Sequence, residues 1–325
     1  MDLFDEKNRG ILYWKLRCKY GVIKIDNFKT FTSKISRIFL INAALLLLFI
    51  SCASLSPVSS GRERPEPVAA IEAVEPEWQE FTANIGYYHG KISAPLLEFW
   101  ALRIDLNSPD TNIVVRGGAM AKDGSMRNTK VTSFVRRNGL IAGINAVPFD
   151  VISMIEGRHV KNSGIVVSGG ELISPVLPRF DALVFYNDGR AEIVSQSEID
   201  SDSIRGIENA IGGFRSILKN GQPEERTLNL TPRHPRSAAG ISANGRYLYL
   251  LVIDGRRKGS VGTTEMETAL VLRALGSMDG INFDGGGSSA LVLRYPNGRI
   301  RAVNTPIHGG IHRLERAVAG CIGIK

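Results

Sequence analysis

The sequence predicts an α+β fold, a mixed and strand-rich single domain with a few helices. Short apolar runs of strand length recur between turn residues, and the clearest helical spacing begins at Thr264. Many short strands with few helices are typical of α+β domains rather than of alternating βαβ units. A change in composition near residue 78 sets the predicted start of this domain, because the residues before it lack an apolar period.

Residues 1–52 are predicted to be a leader and not part of the fold. They carry nine Lys and Arg against four acids, which is +5 of the net charge of +8 of the whole chain. The run Ile38–Ile50 is apolar except for Asn42, and it is too short to span a bilayer comfortably. A basic flank, a short apolar core and small residues are typical of a secretory signal, with an uncleaved signal anchor as the alternative.

The leader ends in Phe49–Ala53, which resembles a bacterial lipobox, with Cys52 as the residue that becomes lipidated. We therefore expect a membrane-anchored lipoprotein of the cell envelope that faces the periplasm or the exterior. Residues 53–77 are rich in Pro, Ser, Glu and Ala, a composition typical of a flexible tether. Residues 78–325 remain as the folded domain, and this length can bury a substantial core.

The remaining composition excludes several classes of protein. Residues 53–325 carry only +3, which gives little reason to expect a nucleic-acid partner. Cys321 is the one cysteine beyond the leader, and its apolar C-terminal run predicts a core residue. His234 precedes a proline and is predicted to lie in a loop, while His308 has no metal-ligand spacing, so we expect no metal site of the zinc type.

The strongest secondary-structure signals are three strands and one helix. Residues 182–186 and 191–194 predict a hairpin, because an Asn-Asp-Gly turn separates them. Residues 246–253 are almost continuously apolar, which predicts a strand buried on both faces. Thr264 and Glu267 have the spacing of a capping box, so Glu267 is interpreted as a helix cap rather than a catalytic acid.

The run Asn282–Ser289 is the strongest candidate for a site. Three glycines follow Asp284 and precede two serines. Glycine lets a ligand approach the main chain, and the N–H groups of such a turn can hold an anion or a sugar hydroxyl beside the carboxylate. The alternative is a tight turn without a ligand.

Four other segments carry polar side chains next to predicted strands. Loops at strand ends commonly carry binding and catalytic residues, although Asp254 also fits a simple turn and Arg236 also fits a surface charge. The segments are Asn145–Asp150, Arg233–Ser237, Asp254–Arg257 and Asn304–Pro306 with Arg313, Glu315 and Arg316.

Taken in order, these segments resemble the phosphodiester glycosidase family over about residues 85–325. The first half departs from the family, which usually has Asn-Gly-Gly-Phe-Phe where this chain has Asn145–Phe149. The residues that carry the resemblance are Asn145 with Phe149, Arg236–Gly240, Asp254–Arg256, Ser260 with Gly262, Thr264 with Glu267, Asn282–Ser289, Asn304 with Pro306, and Arg316 with Val318.

The resemblance implies hydrolysis of the bond between a sugar's anomeric carbon and a phosphodiester. A phosphate leaving group needs charge neutralisation, and the planar fork of arginine matches its oxygens, so Arg236 is the first choice for a clamp with Arg316 and Arg256 as helpers. Asp284 and Asp254 are the candidate catalytic pair. The residues expected to bind substrate are Asn145, Asn282, Gly285, Gly286, Gly287, Ser288 and Arg316.

Two other hypotheses fit the same residues. The first is a non-catalytic, glycan-binding envelope lipoprotein, which the altered segment after Asn145 favours. The second is metal-assisted hydrolysis, in which acids and loop carbonyls hold Ca²⁺; otherwise the sequence implies no cofactor. The enzyme hypothesis requires Arg236, Asp254 and Asp284 to face one cleft.

Overall fold

The structure, a computed structural model, describes residues 66–116, 121, 125–228 and 232–325. The predicted leader, Cys52 and the first part of the tether lie outside these residues. The described residues belong to one unit, Glu63–Lys325. Within them, no helix is long and apolar enough to cross a bilayer.

The described residues contain four α-helices and twenty-two strands, in agreement with the predicted α+β class. The helices are α1 (Glu66–Glu72), α2 (Val131–Arg137), α3 (Ser201–Ile204) and α4 (Glu265–Leu275). The strands are β1 (Gln79–Thr82), β2 (Ile85–Ser93), β3 (Leu96–Asp105), β4 (Ile113–Val115), β5 (Met126–Arg127), β6 (Ala142–Asn145), β7 (His159–Val160), β8 (Val166–Ser168), β9 (Glu171–Ser174), β10 (Asp181–Tyr186), β11 (Ala191–Ser195), β12 (Ile207–Gly212), β13 (Arg215–Lys219), β14 (Gln222–Pro223), β15 (Arg236–Ile241), β16 (Tyr247–Ile253), β17 (Asp279–Asn282), β18 (Leu291–Arg294), β19 (Ile300–Ala302), β20 (Ile307–His308), β21 (Ile311–His312) and β22 (Cys321–Ile324).

Three antiparallel sheets form the body of the domain. The largest has eight strands in the order β1-β2-β3-β16-β15-β17-β13-β14. The other two have five strands each, in the orders β11-β10-β12-β8-β9 and β19-β18-β6-β22-β4. The order of each sheet departs from the order of the chain, so the ends of distant segments become neighbours.

The main core lies between the eight-stranded sheet and the two five-stranded sheets. Leu250 of β16, Leu183 of β10 and Ile144 of β6 are all completely buried in it. A second apolar cluster fills the opposite face of the eight-stranded sheet, where Leu251 packs with Leu272 of α4. β16 therefore has apolar neighbours on both faces, as its continuous apolar run predicts.

Several local predictions are confirmed. β10 and β11 form the expected hairpin. Thr264 accepts from the N–H of Glu267 (3.1 Å), and Glu267 accepts from the N–H of Thr264 (2.9 Å), which completes the capping box. Gly276 ends the helix in a left-handed conformation. Cys321 is fully buried, and burial raises the pKa of its thiol to about 12.

The start of the domain differs from the prediction of a tether through residue 77. α1 lies within that segment, and its Ile71 is completely buried in the cluster that also contains Leu270. Arg273 of α4 also forms an ion pair with Glu72. The apolar residues of α1 are too few to show a period in the sequence, and only packing against α4 makes their burial evident.

Candidate active site

Antiparallel pairing brings the ends of three neighbouring strands of the eight-stranded sheet together. β15 runs antiparallel to both β16 and β17, with Arg236 opposite Ile253 and Ala238 opposite Asn282. The start of β15 therefore lies beside the ends of β16 and β17. The loops that follow these strands contact the segment before β15, so the predicted site segments do come together.

Asp284 lies in the turn that follows β17. Its N–H donates to the carbonyl of Ala146 (2.8 Å), and its own carbonyl accepts from Nδ2 of Asn145 (2.6 Å), which ties the turn to β6. The residue as a whole is partly exposed. Burial raises the pKa of its carboxyl from 3.8 to about 6, although a hydrogen bond from Ser288 and the charge of Arg316 lower it. Carboxylates with such a raised pKa are common at catalytic sites.

Arg316 contacts a serine and a histidine close to Asp284. Nη1 of Arg316 donates to Oγ of Ser288 (3.1 Å), and Nε donates to Nδ1 of His308 (2.9 Å). Ser288 is held in the turn by its N–H, which donates to the carbonyl of Gly285 (3.1 Å). Because Nδ1 of His308 accepts, its ring proton lies on Nε2. Burial and the charge of Arg316 lower the pKa of His308, which favours the neutral ring with Nε2–H as its donor.

A second arginine–histidine pair borders the same turn. Nη2 of Arg256 donates to Nδ1 of His234 (3.2 Å). Burial, then the charges of Arg256 and Arg236, lowers the pKa of His234, so this ring is also neutral with its proton on Nε2. Arg256 has a left-handed backbone with φ of 57°. This conformation costs energy in a residue other than glycine and is found where a functional geometry is enforced.

The triple glycine makes room for these two guanidinium groups. A Cβ on Gly287 would lie 2.3 Å from Nη2 of Arg316. A Cβ on Gly286, whose φ is 61°, would lie 3.2 Å from Nη2 of Arg256. The predicted nest of N–H groups is partly used inside the protein, because Gly286 donates to the carbonyl of Pro235 (2.8 Å). Arginine side chains, more than backbone N–H groups, therefore provide the donors at this turn.

The turn carries an excess of positive charge. Among the described residues, no carboxylate oxygen lies within 4.0 Å of a guanidinium nitrogen of Arg256 or Arg316. Burial has the largest influence and lowers the pKa of Arg316; Asp284 raises this pKa and Arg256 lowers it further, so the three charges interact. Two positive charges and one negative charge in a half-buried turn favour the binding of an anion.

Arg236, the first choice for the phosphate clamp, forms hydrogen bonds within the protein. It is 7% exposed, and it donates to the carbonyls of Thr263 (3.0 Å from Nε) and Pro232 (3.1 Å from Nη2). Its Nη1 lies 3.9 Å from Oε1 of Glu265. Arg236 therefore holds the loop after β16 against the segment before β15. Arg256 and Arg316, which the sequence ranks as helpers, are the arginines that border the turn with Asp284.

Asp254, the predicted partner of Asp284, is also buried and fully bonded. It is 1% exposed. Its Oδ1 accepts from the N–H of Thr305 (3.0 Å) and from Nδ2 of Asn304 (3.2 Å), and its Oδ2 accepts from Nε of Arg257 (2.7 Å). Asp254 thus positions the loop that leads to β20. Of the three residues expected to face one cleft, Arg236 and Asp254 are buried and bonded within the protein, whereas Asp284 is partly exposed and lies beside Arg316.

The two asparagines of the predicted binding set lie inside the protein. Asn145 is completely buried, and its Oδ1 accepts from Oγ of Ser237 (2.7 Å) and from the N–H of Ala290 (3.1 Å). It therefore joins β6, β15 and the residue before β18 to the turn. Asn282 is 1% exposed, and its Oδ1 has no hydrogen-bond partner among the described residues. Neither amide is positioned to contact a sugar directly.

The sequence comparison decides the family. Residues 111–325 match the family model described as phosphodiester glycosidase. The chain belongs to the phosphodiester glycosidase family. The match confirms the resemblance carried by the sequence motifs and supports a glycosidase-type hydrolase. Comparison with curated protein sequences gave no match.

Solved structures share the phosphodiester glycosidase fold of this chain. A hypothetical protein from Synechocystis has a TM-score of 0.58 and 15% identity, over 78% of this chain and 64% of that protein. The catalytic domain of zebrafish N-acetylglucosamine-1-phosphodiester alpha-N-acetylglucosaminidase, auto-inhibited by its pro-peptide, has a TM-score of 0.56 and 20% identity, over 77% of this chain and 88% of that domain. At these identities the similarity establishes the fold alone.

Sequence reasoning gave no functional role to His234 and His308 of this member of the phosphodiester glycosidase family. Each lies in or near a segment that the sequence singles out: His234 follows Arg233, and His308 lies two residues after Pro306. Their signal is weak because neither has a neighbour in sequence that would pair with it. The arginine partners are 22 and 8 residues away, and only the folded chain brings them within hydrogen-bond distance.

Proposed function

We propose that this protein hydrolyses the glycosidic bond between a sugar's anomeric carbon and a phosphodiester, in envelope or imported glycoconjugates. One observation carries the proposal: the Asp284 carboxyl, with its raised pKa, lies beside Arg316 in a turn with excess positive charge. This combination suits a substrate that has an anionic leaving group next to a carbon that becomes cationic. Family membership supports the same reaction class.

The proposed reaction needs one carboxylate rather than two. Cleavage breaks the bond from the anomeric carbon to oxygen, and the leaving oxygen of the departing phosphomonoester takes the bonding electrons. Because a phosphate is a weak base, guanidinium groups can stabilise it without a strong general acid. In our proposal Arg316 and Arg256 neutralise this charge, and the Nε2–H groups of His308 and His234 supply neutral hydrogen bonds.

Asp284 acts in its ionised form in this proposal. The oxocarbenium-like carbon needs a carboxylate that stabilises it, attacks it or removes a proton from water, and each role requires the ionised group. With a pKa of about 6, Asp284 is mostly ionised at pH 7. Burial also makes it more basic than an ordinary carboxylate, which suits removal of a proton from water.

We also propose, from the sequence alone, that the protein acts in the cell envelope as a lipoprotein anchored through Cys52. The basic segment, the apolar run Ile38–Ile50 and the small residues that follow support this proposal. Incorporation of radiolabelled palmitate into the wild-type chain, and its loss in Cys52→Ser, is the corresponding measurement. Labelling that persists in Cys52→Ser would contradict the proposal.

A substrate panel tests the proposed function. The purified protein is incubated with sugar-1-phosphodiesters that differ in sugar, anomeric configuration and aglycone, and release of free sugar and phosphomonoester is measured. We expect at least one member to be hydrolysed and the matching sugar phosphomonoesters to be poor substrates. Binding of the same panel without release of sugar would instead support the glycan-binding alternative.

The calcium hypothesis is tested in the same assay. Among the residues that the structure describes, no three His, Cys, Asp or Glu side chains come together as a metal ligand set. Calcium binding through backbone carbonyls stays a separate hypothesis. Activity that a chelator removes and that calcium restores, with magnesium as the comparison, would support it.

The activity should depend on pH through Asp284. We expect kcat/KM to rise as pH increases through about 6 and then to level off, because the ionised form is the active one. The measurement is a profile between about pH 4.5 and 8.5 with the best panel substrate. A profile that instead falls above pH 6 would mean that the protonated form acts, as a general acid, and would contradict the proposed role.

A further inference from the structure

A five-residue loop next to the candidate site exposes four apolar side chains. Nine large apolar side chains are exposed among the described residues, and four of them belong to the loop Val151–Ile155. Ile152 is 62% exposed and Ile155 is 58% exposed. Single exposed apolar residues are ordinary, whereas a contiguous group indicates an interaction surface.

The backbone of this loop is held at its centre and directly after its last residue. Ser153 forms a β-bridge with Ala317. Glu156 accepts from the N–H of Lys130 (2.9 Å) and from Oγ of Ser133 (2.9 Å), both at the start of α2. The loop therefore presents its apolar side chains from a fixed base, and their exposure does not come from a frayed chain end.

The loop and the candidate site share a segment of chain. Ala317, the bridge partner of the loop, directly follows Arg316. Arg316 in turn contacts His308 in the β20–β21 hairpin, whose Ile311 is 59% exposed. Apolar side chains thus occur on two elements that are connected to the site through Arg316.

Exposed basic residues surround the base of the loop. Arg127 donates to the carbonyl of Gly157 (2.9 Å), and the N–H of Lys161 donates to the carboxylate of Asp150 (2.8 Å). Arg158 lies between these positions and is exposed. Of the nearby acids, Asp150 is exposed, whereas Glu156 is tied to α2. An apolar loop with a basic border fits the surface of an anionic phospholipid bilayer.

The rest of the chain makes such contact geometrically feasible. Fifteen residues separate the apolar run Ile38–Ile50 from Glu66, the first described residue. A segment of this length spans at most about 50 Å when fully extended. If the apolar run lies in a membrane, the folded unit stays within reach of that bilayer.

We propose that Val151–Ile155 docks on an anionic phospholipid bilayer, with Ile152 and Ile155 in the acyl-chain boundary and the basic residues at the headgroups. This proposal does not depend on turnover and stands apart from the proposed function. Docking of the loop brings the turn that contains Asp284 close to the membrane surface.

Tryptophan fluorescence of the full chain in vesicles tests the docking. Ile152→Trp is compared with Leu172→Trp, and both variants also carry Trp14→Phe. Leu172 is an exposed residue of β9, outside the apolar loop. The vesicles contain phosphatidylcholine and phosphatidylglycerol, with or without brominated acyl chains. The emission of the new tryptophan is the difference between each variant and the Trp14→Phe protein. We expect bromine to quench this emission about twofold or more in Ile152→Trp and to leave it nearly unchanged in Leu172→Trp.

Three other outcomes would overturn the proposal, because they show that the loop does not contact a bilayer or that it contacts protein instead. Equal emission of Ile152→Trp in brominated and unbrominated vesicles means that the loop does not enter the bilayer. A blue shift without vesicles that grows with protein concentration indicates a second copy of the chain. A blue shift without vesicles that is independent of concentration indicates that another part of the same chain covers the loop.

Discussion

Turnover by the Asp284→Asn variant is expected to fall by about 10³-fold or more, because the amide can neither attack the anomeric carbon nor accept a proton from water. The measurement is the rate of sugar release from the best substrate of the panel. Binding of an unreactive substrate analogue should change much less, since the guanidinium groups of Arg316 and Arg256 stay in place.

The same substitution should increase stability at neutral pH. An increase of the pKa from 3.8 to about 6 means that burial destabilises the ionised carboxylate by up to about 3 kcal/mol. Because the pKa is raised in the folded state, the contribution of Asp284 to stability is most favourable below the unfolded pKa and is lost as pH rises towards 6. The stabilisation of Asp284→Asn in thermal unfolding should therefore be largest above pH 6 and disappear near pH 4.

Asp279→Asn is the matched control, because it removes a carboxylate from β17 at the end of that strand opposite the turn with Asp284. Asp279 accepts from the N–H of Asn220 (3.0 Å) and is not in contact with the site. We expect its turnover to stay close to that of the wild type. If Asp284→Asn keeps near-normal turnover, Asp284 is not part of the chemistry and the proposed mechanism is wrong.

The second large effect is expected at Arg316. Lysine keeps the charge but loses the planar fork that contacts both Ser288 and His308, so Arg316→Lys should lower kcat/KM by about 10²-fold. Gly287→Ala should have a similar effect through displacement of the same guanidinium, because its Cβ would lie 2.3 Å from Nη2. Both variants are measured by steady-state kinetics.

Arg246→Lys and Gly206→Ala are the matched controls for these two variants. Arg246 pairs with Asp105 at an exposed position (2.7 Å), and the nearest atom to a Cβ on Gly206 would lie 3.6 Å away. Neither control should change kcat/KM by more than about twofold. If Arg316→Lys behaves like Arg246→Lys, the leaving group is not stabilised at Arg316.

Much of the local structure can be predicted from the sequence because its causes are local. The hairpin of β10 and β11 depends on turn residues between two apolar runs, and the start of α4 depends on side chains three residues apart. The run Asn282–Ser289 marks the site because three glycines after an acid serve neither a helix nor a core. The helix α1 is the counterexample, since its burial depends on a contact with α4, nearly 200 residues away.

The roles of individual site residues could not be predicted in the same way. Arg236 and Asp254 have the residue types of a phosphate clamp and a catalytic acid, and they lie at the ends of predicted strands. Their side chains are nevertheless used for internal hydrogen bonds. Whether a charged side chain at a strand end faces a ligand or a neighbouring loop depends on the sheet register and the paths of three loops, and neither is encoded within one segment.

The sequence by itself determined the α+β class, the family, and the segments from which the site is built, because each of these depends on residue types at short spacing. The tertiary structure decided which side chains of those segments meet at the turn. It selected Asp284 with Arg256 and Arg316, and it added His234 and His308. The physical reason is that burial and charge neutralisation depend on all neighbours in space, and most neighbours of this turn are distant in the chain.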